Sequence, residues 1–192
     1  MKDVSIILAY TSNGGIGYQN TLPWNIPEEL KHFRNITTVV NNKNKRNCII
    51  MGKNTWFSIP NTPLKKRVNI IITKTEYDKM KNEIDNGDDI IVVNSFENAI
   101  NHLNRYDDIE SGFVIGGALL YNECLEKHLD KIKHIYISLI FDKNYVCDRF
   151  IDTERIYDNF SIEKQDIVVT DKYISMKGVN KTYPIIIDEL PD

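Results

Sequence analysis

The chain has 192 residues, 42% of them hydrophobic, enough for one buried core, so a single domain over residues 1–192 is expected. Lysine and arginine total 24 against 27 acids, and the net charge of −3 excludes a global pull toward nucleic acid or an anionic membrane. Three widely spaced cysteines, Cys48, Cys124 and Cys147, fit neither a disulfide framework nor a zinc site and suggest a reducing, cytoplasmic setting.

The first apolar run, Val4 to Ala9, reads as a buried strand. It stops before Thr11, Ser12 and Asn13, too soon for a signal segment or a membrane span. Asn13-Gly14-Gly15-Ile16-Gly17 follows, where the backbone can take shapes closed to other residues. It reads either as a plain loop or as a mobile flap that approaches a ligand, and it lacks the GxGxxG fingerprint.

Pro27 suits the first turn of a helix running to Thr38. At roughly 100° per residue, Ile26, Leu30, Phe33 and Ile36 share one arc, Glu29 falls inside it, and Glu28 and Lys31 point away. Two readings of Glu29 stand. One is a first-turn acid favoured by the helix macrodipole. The other is a buried acid serving a site, with its pKa raised by burial and partly pulled back by the helix N-terminus.

Cys48 to Met51 is the next strand, and Gly52 leads from it into a short helix, where free backbone N–H groups and Lys53 stand ready for a phosphate. Taken alone, Lys53 reads more readily as a solvated loop lysine. Lys65, Lys66 and Arg67 form a cationic run, either a solvated surface or, for Arg67 directly before the strand Val68 to Ile72, a partner for a fixed anion. Thr73-Lys74-Thr75 closes that strand at the end where open α/β sheets bind ligands.

Lys79 to Asp89 and Asn104 to Ser111 are polar enough for surface loops, with a strand at Ile90 to Val93 and a helix at Phe96 to Leu103 between them. Phe113 to Ile115, Gly116-Gly117 and a helix from Ala118 to Leu125 form a strand, glycine pair and helix. That layout lets a pyrophosphate reach a helix N-terminus, or is a plain tight turn. Helices are expected to stop after about Lys131, with strands at Ile132 to Phe141, Phe160 to Val169, Tyr173 to Met176 and Tyr183 to Ile187. The fold expected is α/β, a mixed, mostly parallel sheet flanked by helices with an antiparallel C-terminal edge. His32, His102, His128 and His134 share no metal spacing, and no metal site is expected.

In order and spacing, GGIG, LPW followed by an acid, MGKNTWFSIP, PLKKRVNIIITK and VIGGALLY resemble dihydrofolate reductase, from Val4 to about Phe150. The resemblance implies reduction of dihydrofolate to tetrahydrofolate with NADPH, in support of one-carbon metabolism and thymidylate synthesis. It makes Glu29 the active-site acid, with Trp24 holding an ordered water and Ser138, where the family usually has Thr, steadying the acid. Substrate contacts are implied for Ile7, Leu8, Leu30, Phe33, Ser58, Ile59, Leu64 and Ile115. Ile7 and Ile115 would present backbone carbonyls to the pteridine, and Arg67 would hold the carboxylate of the glutamate tail.

The resemblance places the cofactor against Ala9, Ile16, Gly17, Gly52, Lys53, Asn54, Thr55, Thr73, Lys74, Gly116, Gly117, Ala118, Leu119 and Tyr121. Of these, Lys53, Thr55, Thr73 and Lys74 would take phosphates, with Lys74 on the 2′-phosphate, and the Gly116-Gly117 peptide would be cis. The implied partners are dihydrofolate and antifolate-type small molecules, with fusion to or association with thymidylate synthase, and neither nucleic acid nor membrane. Asp148-Arg149-Phe150-Ile151-Asp152 departs from the family's Asp-Thr-Phe-Phe-Pro and leaves its contacts to the Gly-rich flap open. The last forty or so residues match only as a strand pattern. A pyrimidine reductase of riboflavin synthesis would share fold and cofactor, but LPW with Glu29 on the apolar face argues against it. A non-catalytic nucleotide-binding module would keep the groove alone.

Overall fold

A computed structural model describes residues 1–141 and 144–183. Its first half alternates strands and helices: β1 (Val4–Thr11), β2 (Gly15–Gly17), α1 (Pro27–Thr38), β3 (Arg46–Gly52), α2 (Lys53–Ser58) and β4 (Arg67–Ile72). Then come α3 (Tyr77–Glu83), β5 (Ile90–Val93), α4 (Phe96–Arg105), β6 (Ile109–Gly116), α5 (Ala118–Lys127) and β7 (His134–Ile140). The chain continues through β8 (Arg149–Phe150), α6 (Thr153–Asn159), β9 (Phe160–Ile162), β10 (Val168–Val169) and β11 (Tyr173–Asn180).

The main sheet runs β10-β11-β7-β1-β6-β3-β4-β5, with β9 also paired to β11. From β7 to β5 the pairs are parallel, whereas β11 is antiparallel to β7. The parallel strands are covered on both faces, which is why they read as continuous β-branched runs. Alternate residues then split between two cores. Ile6, Leu8, Cys48, Ile50, Ile70 and Val114 meet α4 and α5 through Phe96, Leu103, Leu120 and Leu125. Ile7, Ile49, Met51, Ile71, Phe113 and Ile115 meet α1 and α3 through Phe33, Ile36 and Met80.

Four expectations are corrected. Lys79 to Glu83, inside the stretch read as loop, belongs to helix α3, because about two turns suffice to bury Met80 against the second core. β6 begins at the buried Ile109, inside the stretch read as polar loop. Helices do not stop at Lys131. α6 forms with Asp152 accepting from the Arg155 N–H at 3.0 Å as its N-cap, and only Ile156 of its residues is buried, too little for a periodic signal. Phe160 to Val169 is no single strand, since a 3₁₀ turn at Lys164–Asp166 separates β9 from β10. The strand expected at Tyr183 to Ile187 lies outside the described residues from position 184 onward.

Buried amides tie this frame together. Asn47 donates from Nδ2 to the carbonyls of Val39 (2.7 Å) and Thr37 (3.2 Å) and accepts from the Ser111 hydroxyl at 2.8 Å, so it fastens the end of α1 to β3 and β6. Replacing it takes a partner from the buried Thr37 carbonyl and unlinks the part-buried Val39 carbonyl and Ser111 hydroxyl, so Asn47→Ala is expected to lower unfolding free energy by about 1 to 3 kcal/mol. Urea unfolding reads this directly. A loss under about 0.5 kcal/mol, the scale of an ordinary surface substitution, would show that the amide is dispensable.

Candidate active site

Pro27 starts α1 at Ile26, which offers no side-chain cap, and the helix turns Glu29 inward to 6% exposure while Glu28 pairs outside with Lys172 at 2.8 Å. The carboxylate meets the hydroxyl of Ser138 on β7, the residue in register with Ala9 of β1. Burial pushes the Glu29 pKa up, and the Ser138 hydrogen bond pulls it down by less, leaving it raised. The neighbouring Tyr121 and Tyr173 hydroxyls are shifted upward as well, first by burial and then by the charge of Glu29. Beside them Trp24 packs with Ile26, Ile140 and Tyr173, and its Nε1 is buried without a hydrogen-bond partner among the described residues.

Period-2 alternation along β1 sends Ile7 toward α1 and Leu8 into the opposite core. The Leu8 side chain thus packs in the first core, and only its backbone is left to face the site. The Ile7 carbonyl accepts from the Tyr121 hydroxyl at 2.8 Å. Phe33, Ile59 and Leu64 pack on the cluster of Ile7 and Ile115, while Leu30, on the same helical arc as Phe33, is 48% exposed. Ser58 is exposed, and its hydroxyl donates to the Thr55 carbonyl at 2.8 Å.

Arg67 is no surface cation. Lys65 and Lys66 are exposed, but Arg67 is buried to 5% exposure, donates from Nη1 to the Thr37 hydroxyl at 2.7 Å, and lies 5.9 Å from the Phe33 ring centre. No acid pairs with it among the described residues. Burial, and then the charge of Arg34, lowers its pKa. Thr37 and Arg34 were missed by sequence reasoning, although Thr37 follows Phe33 by one helical turn and the periodicity that found Glu29 also reaches it.

A cleft of about 590 Å³ opens at the carboxyl ends of β1, β3, β4 and β6. Its wall includes Ala9, Ile16, Gly17, Gly52, Lys53, Asn54, Thr55, Ser58, Thr73, Lys74, Ile115, Gly117, Ala118, Leu119 and Tyr121. Gly116 stands just behind, with φ of +112° and a cis peptide to Gly117. A Cβ there would come within 3.0 Å of the Tyr121 ring. Lys53 is held by the Glu76 carboxylate, which matches its charge. Lys74 is exposed, and Thr73 is buried beside it. The wall also contains Asn20, Thr21, Leu22, Glu123 and Arg149, none of which was expected. A second hollow of about 330 Å³, between α3, β5 and α4, contains none of the expected site residues.

The departing segment does meet the flap. β8 pairs with β2, Asp148 N–H donates to the Gly17 carbonyl at 2.9 Å, and Ile151 N–H donates to the Gly14 carbonyl at 2.9 Å. Among the described residues, no helix is long and apolar enough to cross a membrane. No His, Cys, Asp and Glu cluster suited to a metal ion occurs among them either.

The family profile described as dihydrofolate reductase matches residues 3–183, running well past Phe150. The dihydrofolate reductase of Aedes albopictus is 33% identical over 96% of this chain and 97% of its own. That of Candida albicans is 39% identical over 72% of this chain and 68% of its own. The bifunctional dihydrofolate reductase-thymidylate synthase of Leishmania major is 31% identical over 78% of this chain but only 32% of its own length.

Because the folded pKa of Glu29 lies above its unfolded value of about 4.3, the native state binds its proton more tightly. The ionised acid thus costs stability, fully so above the folded pKa and not at all once pH falls below about 4.3. Glu29→Gln is expected to raise the unfolding midpoint at neutral pH, with a gain that disappears in acid. Ser138→Ala should push the carboxyl pKa higher still in an infrared titration, and a downward shift would contradict the assignment.

Proposed function

The chain belongs to the dihydrofolate reductase family and reduces 7,8-dihydrofolate to 5,6,7,8-tetrahydrofolate, and we propose that Glu29 governs the proton in a cleft that takes NADPH as the hydride source. The observation that carries this reading is the buried Glu29–Ser138 pair, which shares Tyr121 with the cleft wall. The cleft residues fit a dinucleotide phosphate. Thr55 and Thr73 supply hydroxyls, Lys74 an exposed ammonium, and the N-terminus of α5, which no side chain caps, a set of backbone N–H groups. Gly117 keeps that wall open, since a Cβ there would stand 3.1 Å from the Thr55 hydroxyl.

Reduction needs a proton at the pteridine nitrogen next to the carbon that gains hydride. Glu29 accepts hydrogen bonds from the pterin, orients it and raises the basicity of that nitrogen. The buried Trp24 Nε1 is a donor for a water that relays the proton. Ile7 and Ile115 back the pterin, and Phe33, Ile59 and Leu64 line the path to Arg67, which holds the tail carboxylate. The flap at Gly14 to Gly17, fastened by β8, keeps bulk water out.

The whole chain acts as one domain in this reading, and antifolate-type molecules fit the same site. The match to part of a bifunctional relative makes thymidylate synthase a fitting neighbour, fused or associated. Free Cys48, Cys124 and Cys147 support a reducing, cytoplasmic setting.

Glu29→Gln keeps side-chain length and removes the charge, so turnover at neutral pH is expected to fall at least about a hundredfold with NADPH binding nearly unchanged. Steady-state kinetics beside a cofactor titration checks this, and turnover within about threefold of wild type would sink the role of Glu29.

Arg67→Leu is expected to cost roughly 2 to 5 kcal/mol in dihydrofolate affinity, the scale of a desolvated charge pair, and to leave a tailless dihydropterin almost unaffected. Lys65→Leu and Lys66→Leu should spare both substrates. Equal damage to tailed and tailless substrates would reduce Arg67 to a support of the fold.

A further inference from the structure

The cleft wall carries three cations, Lys53, Lys74 and Arg149, and one acid, Glu123. Glu76 balances Lys53, and Glu123 leans to His128, 3.7 Å from its Nε2. Lys74 stands at the end of β4, and β3 and β6 separate that strand from β1. Three strand steps span about 14 Å at ordinary sheet spacing. Arg149 stands on the other side of the cleft, on β8 opposite Gly17, with its Cβ 3.8 Å from where a Gly17 Cβ would be. Gly17 thus puts no side chain between Arg149 and the groove.

The guanidinium is lightly held. Its Nη1 donates to the backbone carbonyl of Asp148 at 2.8 Å and lies 3.7 Å from that carboxylate, and the side chain is 56% exposed. It shares the wall with Ala118 and Leu119 in the first turn of α5. Hydride transfer must occur beside Glu29 and Tyr121, near β1, so the nicotinamide end of the cofactor belongs on the Arg149 side and the 2′-phosphate end on the Lys74 side.

We infer that Arg149 is a second anion contact of the cleft, gripping the nicotinamide-side phosphate of the dinucleotide from the flap, while Lys74 reads the 2′-phosphate. The inference rests on the reading of this cleft as the NADPH site. A planar guanidinium suits a bidentate phosphate contact, and β8 links the residue making it to the backbone of Gly14 and Gly17.

Equilibrium titrations with NADPH, NADH and adenosine 2′,5′-bisphosphate test it. Arg149→Ala is expected to weaken NADPH and NADH by the same factor, about tenfold at low salt, with a smaller loss at high salt. The bisphosphate, which lacks the nicotinamide half, should bind as before. Lys74→Ala should show the complementary pattern, weakening NADPH and the bisphosphate but sparing NADH. Arg149→Lys, which keeps the stem and the charge, should recover part of the loss and serves if alanine disturbs the β2–β8 pair. Unchanged dinucleotide affinity in Arg149→Ala, or an equal loss of the bisphosphate, overturns the inference. If the wild-type protein binds neither dinucleotide, the cofactor reading fails and takes this inference with it. If it binds NADPH and Arg149→Ala binds it equally, only the role of Arg149 falls.

Discussion

The insertion of β6 between β1 and β3 governs the rest of the molecule. β1 and β6 lie side by side and parallel, yet the chain leaving β1 travels to α1 on one face and the chain leaving β6 enters α5 on the other. Connections that diverge from adjacent strands cannot close over the sheet edge, and a crevice remains at the carboxyl ends. The cleft, the carboxylate of α1 and the first turn of α5 all face one another because of that single topological choice.

Two charges are then buried at some cost. Among the described residues, Glu29 has one hydroxyl, Ser138, to offset the loss of water, and Arg67 has a hydroxyl and a carbonyl but no acid. Both would be more stable if neutral or solvated, as the upward shift of the acid and the downward shift of the cation record. A ligand with a polar head and an anionic tail would supply what each lacks, and stability forgone in the free protein would then become available as binding free energy. Asn69 supports this end of the site. Its side chain accepts from the Leu64 N–H at 2.9 Å and donates to the Arg67 carbonyl at 2.9 Å, which fixes the turn that presents both residues.

Much of this was legible in the sequence because it is periodic. The parallel strands announce themselves as β-branched runs, and Glu29 stands out by falling on an apolar helical arc. The same logic places the Leu8 side chain, since a strand that turns the Ile7 side chain to one face must turn that of Leu8 to the other. What stayed hidden depends on contacts across the chain. Locally, only its place directly before a strand separates Arg67 from Lys65 and Lys66. The burial of Arg67 is decided by Thr37 and Phe33 on a helix thirty or so residues earlier. The pairing of Lys53 with Glu76 and the arrival of Arg149 in the cleft wall are likewise long-range events. α6 escaped because a short helix with one buried residue leaves no pattern to read.

The β2–β8 pair is a ribbon of two very short strands outside the main sheet. Such a ribbon has little stability of its own, so it can part while the central strands remain intact. Its amides, notably those of Asp148 and Ile151, would therefore trade hydrogen for deuterium through a local opening, long before those of Ile49 or Ile70 are released by global unfolding. The molecule thus keeps two separate clocks, a fast one for opening of the β2–β8 ribbon and a slow one for the lifetime of the fold.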